Sequence, residues 1–384
     1  MKEPSGLARL GWRLRAQGLP WLRRRLAFEW NTPTTAPGRL LFRLRARLRA
    51  MLRRRRGEAP DGDVLYAFLD LDVAPVTYDV LWFIVGAELE RRRLGRRRIQ
   101  FVVVPGRSDG LRDEEEVYEA AVDRDDRHWR LFNLIMPAFS LAGPCGILLA
   151  ADRDVAAGVF HRQAEVFPPL YHPRQPFFPI PADLLQQARE GADCALLTAP
   201  AAARRWVARW AKAESGARRL ITITLREYEF MPARNSNLAA WAQFARELDP
   251  NRWAVVFLRD TARTADPPPP ELAGLRILPE ASWVVSLRMA LYEAAFLNLG
   301  VSGGPMMLCH FGGRTRSLMF KIITEDVPQS STAYVTSLGF TPGETPPTAA
   351  RGQRWVWEDD DLPTIRREFL AAVRDLDEGG EDSG

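Results

Sequence analysis

The chain has 384 residues, 46% hydrophobic and 26% charged. That is enough length for two domains and enough apolar content to bury a core in each. The net charge of +5 is uneven: residues 1–60 hold 16 of the 53 cations but only 3 of the 48 acids, so the body is acidic. Cys145, Cys194 and Cys309 form no CxxC pair and the four histidines have no metal-ligand spacing. A disulfide framework, a zinc site and any other metal are therefore not expected, and a reducing compartment is the default. HExxH, GxGxxG and GxxxxGK(S/T) are absent, which sets aside zincins, P-loop NTPases and simple dinucleotide enzymes.

Residues 39–56 read RLLFRLRARLRAMLRRRR. Leu41, Leu44, Leu48, Met51 and Leu52 share one helical face and arginines surround it. Residues 6–26 repeat the style until Gly18 and Pro20 interrupt it. No apolar segment of signal-peptide type follows. Residues 1–60 are thus a basic amphipathic helical arm, and residues 6–56 suit an anionic membrane surface. A poorly ordered arm, or a helix packed on the body, is the plainer alternative, and nucleic acid is the least favoured partner. The uncharged stretch 131–151 is long enough to span a bilayer, but Asn133, Pro137 and Gly143-Pro144 divide it into a helix, a turn and a strand.

Beyond the arm, strands are expected at 63–69, 99–104 and 146–150, with a short one at Val166-Phe167. Helices are expected at 81–93, 114–122, 128–140 and 152–160 between them. Strand–helix alternation implies a parallel sheet covered on both faces. Six prolines within 166–182 mark a crossing between domains. The alternation restarts with strands at 219–225, 253–258, 275–278, 298–301 and 317–323, helices at 237–248 and 284–296, and a last helix at 361–375. Trp206 and Trp210 are four apart and read as a core stripe, and the aromatic in His128-Trp129-Arg130 reads the same way. The fold class is α/β, two Rossmann-like domains facing a cleft: 61–180, then 181–376, with a disordered tail at 377–384. Ligands of open parallel sheets bind at the carboxyl ends of the strands.

The sharpest local feature is NLGVSGGPMMLCHF, residues 298–311, in which a strand runs through Ser302, Gly303, Gly304 and Pro305 into a helix. Glycines let a backbone approach a ligand, and free N–H groups at a helix start attract phosphate. An ordinary Gly-Pro turn is the alternative. Arg226 follows the strand at 219–225, and the loop after it carries Arg234, Asn235, Ser236 and Asn237. An Arg there suits a bidentate grip on a diphosphate. Alternatively, Arg226 pairs with Glu227 or Glu229 while Asn235 or Ser236 caps the next helix.

These residues resemble the nucleotide-sugar half of GT-B glycosyltransferases of heptosyltransferase type, whose D-S/T-G-P-x-H-L stretch lies under the donor pyrophosphate. Gly304, Pro305, Met306 and Leu308 match that stretch. Ser302 stands at the Asp position, Gly303 at the hydroxyl position and Met307 at the His position. An Arg after the first donor-domain strand also resembles fucosyltransferase-like enzymes. The resemblance implies a GT-B-like pair of domains, with 61–180 binding acceptor and 181–376 binding donor. It further implies a nucleotide-sugar as donor substrate with no separate cofactor, and a glycan or lipid-linked acceptor of a surface polysaccharide. Lys321 could neutralise phosphate there and Glu325 accept ribose hydroxyls. For an inverting transfer the general base would be Asp72, or Asp109 in the next loop. The arm would place the protein in the cytoplasm, at the inner membrane face. The alternatives are a sugar-nucleotide epimerase of the same fold and a non-catalytic scaffold binding membrane or nucleic acid.

Overall fold

The computed structural model describes residues 63–179 and 181–381 and, before them, Gly38, Leu40, Leu41, Leu44, Arg45, Leu48, Met51 and Leu52. Those eight arm residues are helical. The piece expected at 6–26 and the end of the tail lie outside the described residues.

Two parallel-sheet layers form, as the alternation implied. The first holds β1 (Val64–Asp70), β2 (Arg98–Val104), β3 (Cys145–Leu149) and β4 (Val166–Phe167) in the order β3-β2-β1-β4. The second holds β5 (Arg219–Thr224), β6 (Trp253–Leu258), β7 (Leu297–Val301), β8 (Ser317–Phe320) and β9 (Gln353–Trp355) in the order β6-β5-β7-β8-β9. Strands covered on both faces must be apolar nearly throughout, and β7 is buried at every position. Its register sets Thr224 opposite Gly300, and Val301 opposite Phe320, so the loops leaving β5, β7 and β8 start at one edge.

By contacts the chain forms two compact units that do not follow chain order. Of the described residues, one comprises those up to Ala74, Gln100–Arg112 and Leu148–Phe178; the other comprises Pro75–Ile99, Asp113–Ile147 and those from Pro179 on. The first unit's core joins Phe68, Val102, Val104, Phe160 and Tyr171. The second packs Trp241, Phe244, Phe257 and Phe320 with Ile365 and Phe369 of the C-terminal helix Leu362–Glu381. Each such fully buried side chain contributes about 1.5–3 kcal/mol.

Local chemistry ends the elements. Helix Val80–Arg93 stops where Gly95 adopts φ +65° and Arg96 N–H reaches back to the Arg91 carbonyl. Buried Glu88 on that helix is held by Arg91 and Arg92, each at 2.7 Å. The helix expected at 128–140 begins earlier, at Arg124, capped by Asp123. It then widens into a π turn over Leu131–Ile135, where Met136 N–H bonds the Leu131 carbonyl. Pro137 explains the widening, because it has no N–H to give to the turn before it.

Several expectations are corrected. Residues 275–278 make one isolated bridge, Phe257 with Ile277, and no strand, because a new helix begins at Pro279. β8 ends at Phe320 and not at residue 323, because Lys321 turns to φ +54°. The C-terminal helix runs on through Glu381, past the expected end at 375 and into the tail expected to be disordered. In helix Ala201–Ser215 the buried stripe is Ala203 and Val207, while Trp206 and Trp210 are half-buried.

Candidate functional site

In the second unit the strand order reverses between β5 and β7, and a crevice at such a point is where parallel sheets take ligands. Arg226 leaves β5 there and Ser302 leaves β7. Arg226 makes neither of the ion pairs weighed from sequence. Glu227 is held by Arg259 at 2.7 Å, and Glu229 by Arg263 at 2.6 Å. Instead its guanidinium donates to the carbonyls of Phe230 (2.7 Å) and Met231 (3.0 Å) and to Asn235 Oδ1. These are neutral acceptors. Burial pulls the guanidinium down to about 10, and Arg234 nearby pushes the same way.

Arg234 donates from Nη2 to the Ser302 carbonyl at 3.1 Å, tying the loop after β5 to the turn after β7. Burial lowers its pKa too, with Asp79 and Tyr334 opposing. Among the described residues neither arginine forms an ion pair. Two largely desolvated cations without a carboxylate on either are expensive, and an anion between them would offset that cost.

Arg130 completes the cationic side. Its Nη2 donates to Tyr228 Oη at 3.0 Å, and its pair with Asp126 is also 3.0 Å. Both Arg130 and Arg226 lie over the Tyr228 ring, at 5.5 and 5.4 Å. Burial raises the Tyr228 pKa, with Arg130 opposing. Arg130 sits in a segment whose sequence reads as core, and neither it nor Tyr228 carries a signal in the chain. Arg234, by contrast, is visible in its polar loop.

The surrounding loop is rigidly bonded. Ser236 Oγ accepts from Arg226 N–H at 2.9 Å, and Asn235 brackets Tyr228 through both its N–H and its carbonyl. The helix cap expected of Asn235 or Ser236 belongs to Asn237, which accepts from Ala240 N–H. Lys321 donates to the Asn235 carbonyl at 3.2 Å and stands 3.8 Å from buried Asp360. Glu325 accepts from Thr332 and braces its own loop. Lys321 and Met231, at φ +54° and +58°, are both non-glycine residues in left-handed backbone at this edge.

One glycine of the turn has a packing reason of its own. A Cβ on Gly304 would lie 2.7 Å from the Tyr78 ring, so Gly304 admits a buried tyrosine. A Cβ on Gly303 would meet only the Val301 carbonyl oxygen, at an ordinary 3.6 Å. Pro305 precedes a helix of only five residues, Met306–His310, too short for much dipole. His310, buried at its end, bonds Thr348 at 2.8 Å and Trp355 at 3.3 Å, and burial holds its pKa down at about 3.

In the first unit, Asp72 is engaged by Arg107 through both backbone and side chain. Asp109 is exposed at φ +49° within the Gly106–Gly110 turn. Asp70 is the buried carboxylate there. Arg153 grips both its oxygens at 2.8 and 2.7 Å, and Tyr171 donates to it at 3.1 Å. Among the described residues no cluster of His, Cys, Asp and Glu could hold a metal ion, and no helix is long and apolar enough to cross a membrane.

No protein-family model and no curated protein matches the sequence. Among solved structures, the chain is similar to the glycosyl transferase family 9 from Veillonella parvula DSM 2008: 10% identity, TM-score 0.43, covering 68% of this chain and 82% of that one. It is also similar to E. coli ADP-heptose LPS heptosyltransferase II: 12% identity, TM-score 0.39, covering 83% and 99%. Identity at this level carries no residue's role across.

Proposed function

We propose that the protein transfers a sugar from a nucleotide-sugar to a glycan or lipid-linked acceptor, with the donor diphosphate held beside Arg226 and Arg234. The observation that supports this reading is the pair of largely buried guanidiniums at the β5–β7 switch point, bonded only to neutral oxygens. A diphosphate supplies the missing negative charge. Ser302–Pro305 follows β7 at the same strand edge, Lys321 and Asn235 brace the loop after β5, and Glu325 braces the loop after β8. Asp72 and Asp109 are the candidates for the base that deprotonates the acceptor hydroxyl. Use of Asp72 requires Arg107 to swing off its carboxylate.

The arm fits the same activity. Leu40, Leu41, Leu44, Leu48, Met51 and Leu52 are 44–62% exposed on helical residues in an arginine-rich segment. Such a face suits the anionic cytoplasmic leaflet, where a lipid-linked acceptor resides.

A calorimetric screen of the full chain against UDP, GDP, ADP and CMP tests the donor site. One nucleoside diphosphate should bind, with affinity lost in Arg234→Ala. Binding of none, or binding indifferent to that substitution, overturns the reading.

A further inference from the structure

The second unit carries a cavity of about 270 Å3 where the end of helix Pro181–Arg189 meets the loop after helix Thr332–Ser337. Arg189, Phe340, Glu344 and Thr345 line it, together with Pro346 and Pro347. None of these residues belongs to the donor crevice.

The lining loop is fixed by the protein itself. Gly339 turns at φ +97°, and Arg189 Nη2 donates to its carbonyl at 2.9 Å. Trp357 Nε1 donates to the Glu344 carbonyl at 3.0 Å, and Trp355 N–H donates to Thr345 Oγ1 at 3.1 Å. The Phe340 ring packs on that of Trp355 with centroids 5.1 Å apart. A wall held in this way takes a ligand without the entropy cost of ordering the loop.

The polar groups decide the chemistry. Arg189 and Glu344 are both exposed, and among the described residues neither side chain forms an ion pair, with the other or with a third group. Arg189 uses one N–H of the five on its guanidinium. Thr345 accepts through Oγ1 and keeps its own proton to donate. The cavity therefore offers donors, acceptors and apolar surface with no net charge. An anion would gain at Arg189 and lose at Glu344, and a cation the reverse. A sugar hydroxyl donates and accepts at once, so it gains at both. Phe340 and the two prolines supply apolar surface for the C–H face of a pyranose ring.

We propose that this cavity binds a neutral sugar unit whose hydroxyls bridge Arg189 and Glu344. The site uses other residues than the donor reading does and stands without it.

Calorimetric titration of the full chain with glucose, galactose, rhamnose and N-acetylglucosamine tests it, with glucuronate as an anionic probe and alanine as a zwitterionic one. At least one neutral sugar should bind, more tightly than glucuronate and alanine. Glu344→Gln should weaken that sugar by about tenfold and leave the melting temperature unchanged, since the carboxylate holds nothing in the fold. The same variant should bind glucuronate more tightly than the wild type does, a reversal that a merely structural role would not give. Arg189→Gln should weaken the neutral sugar and glucuronate alike, and Arg234→Ala should leave sugar binding unchanged. Absence of binding by all four neutral sugars up to about 50 mM overturns the proposal. So does alanine binding more tightly than every sugar, or sugar binding indifferent to Glu344→Gln and Arg189→Gln. Sugar binding lost only in Arg234→Ala overturns it too and leaves the donor site standing.

Discussion

Arg234 reaches from the loop after β5 to the Ser302 carbonyl at the end of β7, a 3.1 Å bond across the line where the second sheet reverses its winding. The bond uses one N–H of a guanidinium that has five, so the rest of the fork is available to a ligand. Arg226, whose pKa is pushed down by burial and then by Arg234 nearby, is committed to its own loop instead.

Replacing the two arginines should therefore give different outcomes. Arg234→Ala should weaken nucleoside diphosphate binding by about tenfold or more with little change in stability. Arg226→Ala should weaken binding and also lower the melting temperature, because it leaves the Phe230 and Met231 carbonyls and Asn235 without their donor. Calorimetry and thermal unfolding on both variants separate the roles. Equal melting losses would contradict the division.

Gly304→Ala places a methyl against the Tyr78 ring and should destabilise by about 1–3 kcal/mol through overpacking. In a Tyr78→Ala background, itself destabilised by the lost ring, the same Gly304→Ala change should cost little. Denaturant unfolding of the four-member cycle measures the coupling, and additive losses would show that the Gly304–Tyr78 contact is not the constraint.

Asp70 and Asp72 are two residues apart and differ in what surrounds them. Asp70→Asn leaves Arg153 facing an uncharged partner at a buried site and should cost about 3–5 kcal/mol. Asp72→Asn breaks a pair whose Arg107 side is 58% exposed. It should cost under about 1 kcal/mol, so any loss of turnover reports on chemistry. A folded Asp72→Asn with full turnover would leave Asp109 as the base.

His310 sets a pH dependence whose sign follows from its environment. Its folded-state pKa, about 3, is below the unfolded value, so on acidification the unfolded chain takes the proton first. Stability is unaffected by this group above about pH 6.5 and falls toward about pH 3, by about 1.4 kcal/mol per pH unit. Unfolding curves of the wild type and His310→Gln, compared from neutral to mildly acidic pH, should diverge, with the variant losing less.

The arm supplies a separate test. The full chain should sediment with vesicles containing anionic phosphatidylserine, and Leu44→Glu with Leu48→Glu should abolish that without affecting nucleotide binding. Sedimentation unchanged by the two glutamates would remove the leucine face from any lipid contact.

Much of the fold was legible in the chain because parallel strands buried on both faces are near-continuous apolar runs: β1, β2, β5, β6 and β7 all fall where such runs do. β9 was not legible, because its three residues gain strand character only from pairing with β8. Residues 275–278 erred the other way, apolar enough for a strand but with a single bridge to join. At the site, Arg226 and Asn235 were visible as polar residues where a strand ends. Arg130 and Tyr78 were not, since neither has a neighbour in sequence that hints at a role.

By itself the sequence determined the alternation of strands and helices, the loops leaving the strand ends and the charge of the arm, all set by local periodicity and composition. The tertiary structure decided which charges meet. It gave Glu227 to Arg259 and Glu229 to Arg263, so that Arg226 faces only neutral oxygens. It also gave Gly304 to Tyr78 and Asp70 to Arg153. Such pairings join residues tens or hundreds of positions apart, and hydrogen-bond geometry and desolvation act over a few ångströms of space, whatever the distance along the chain.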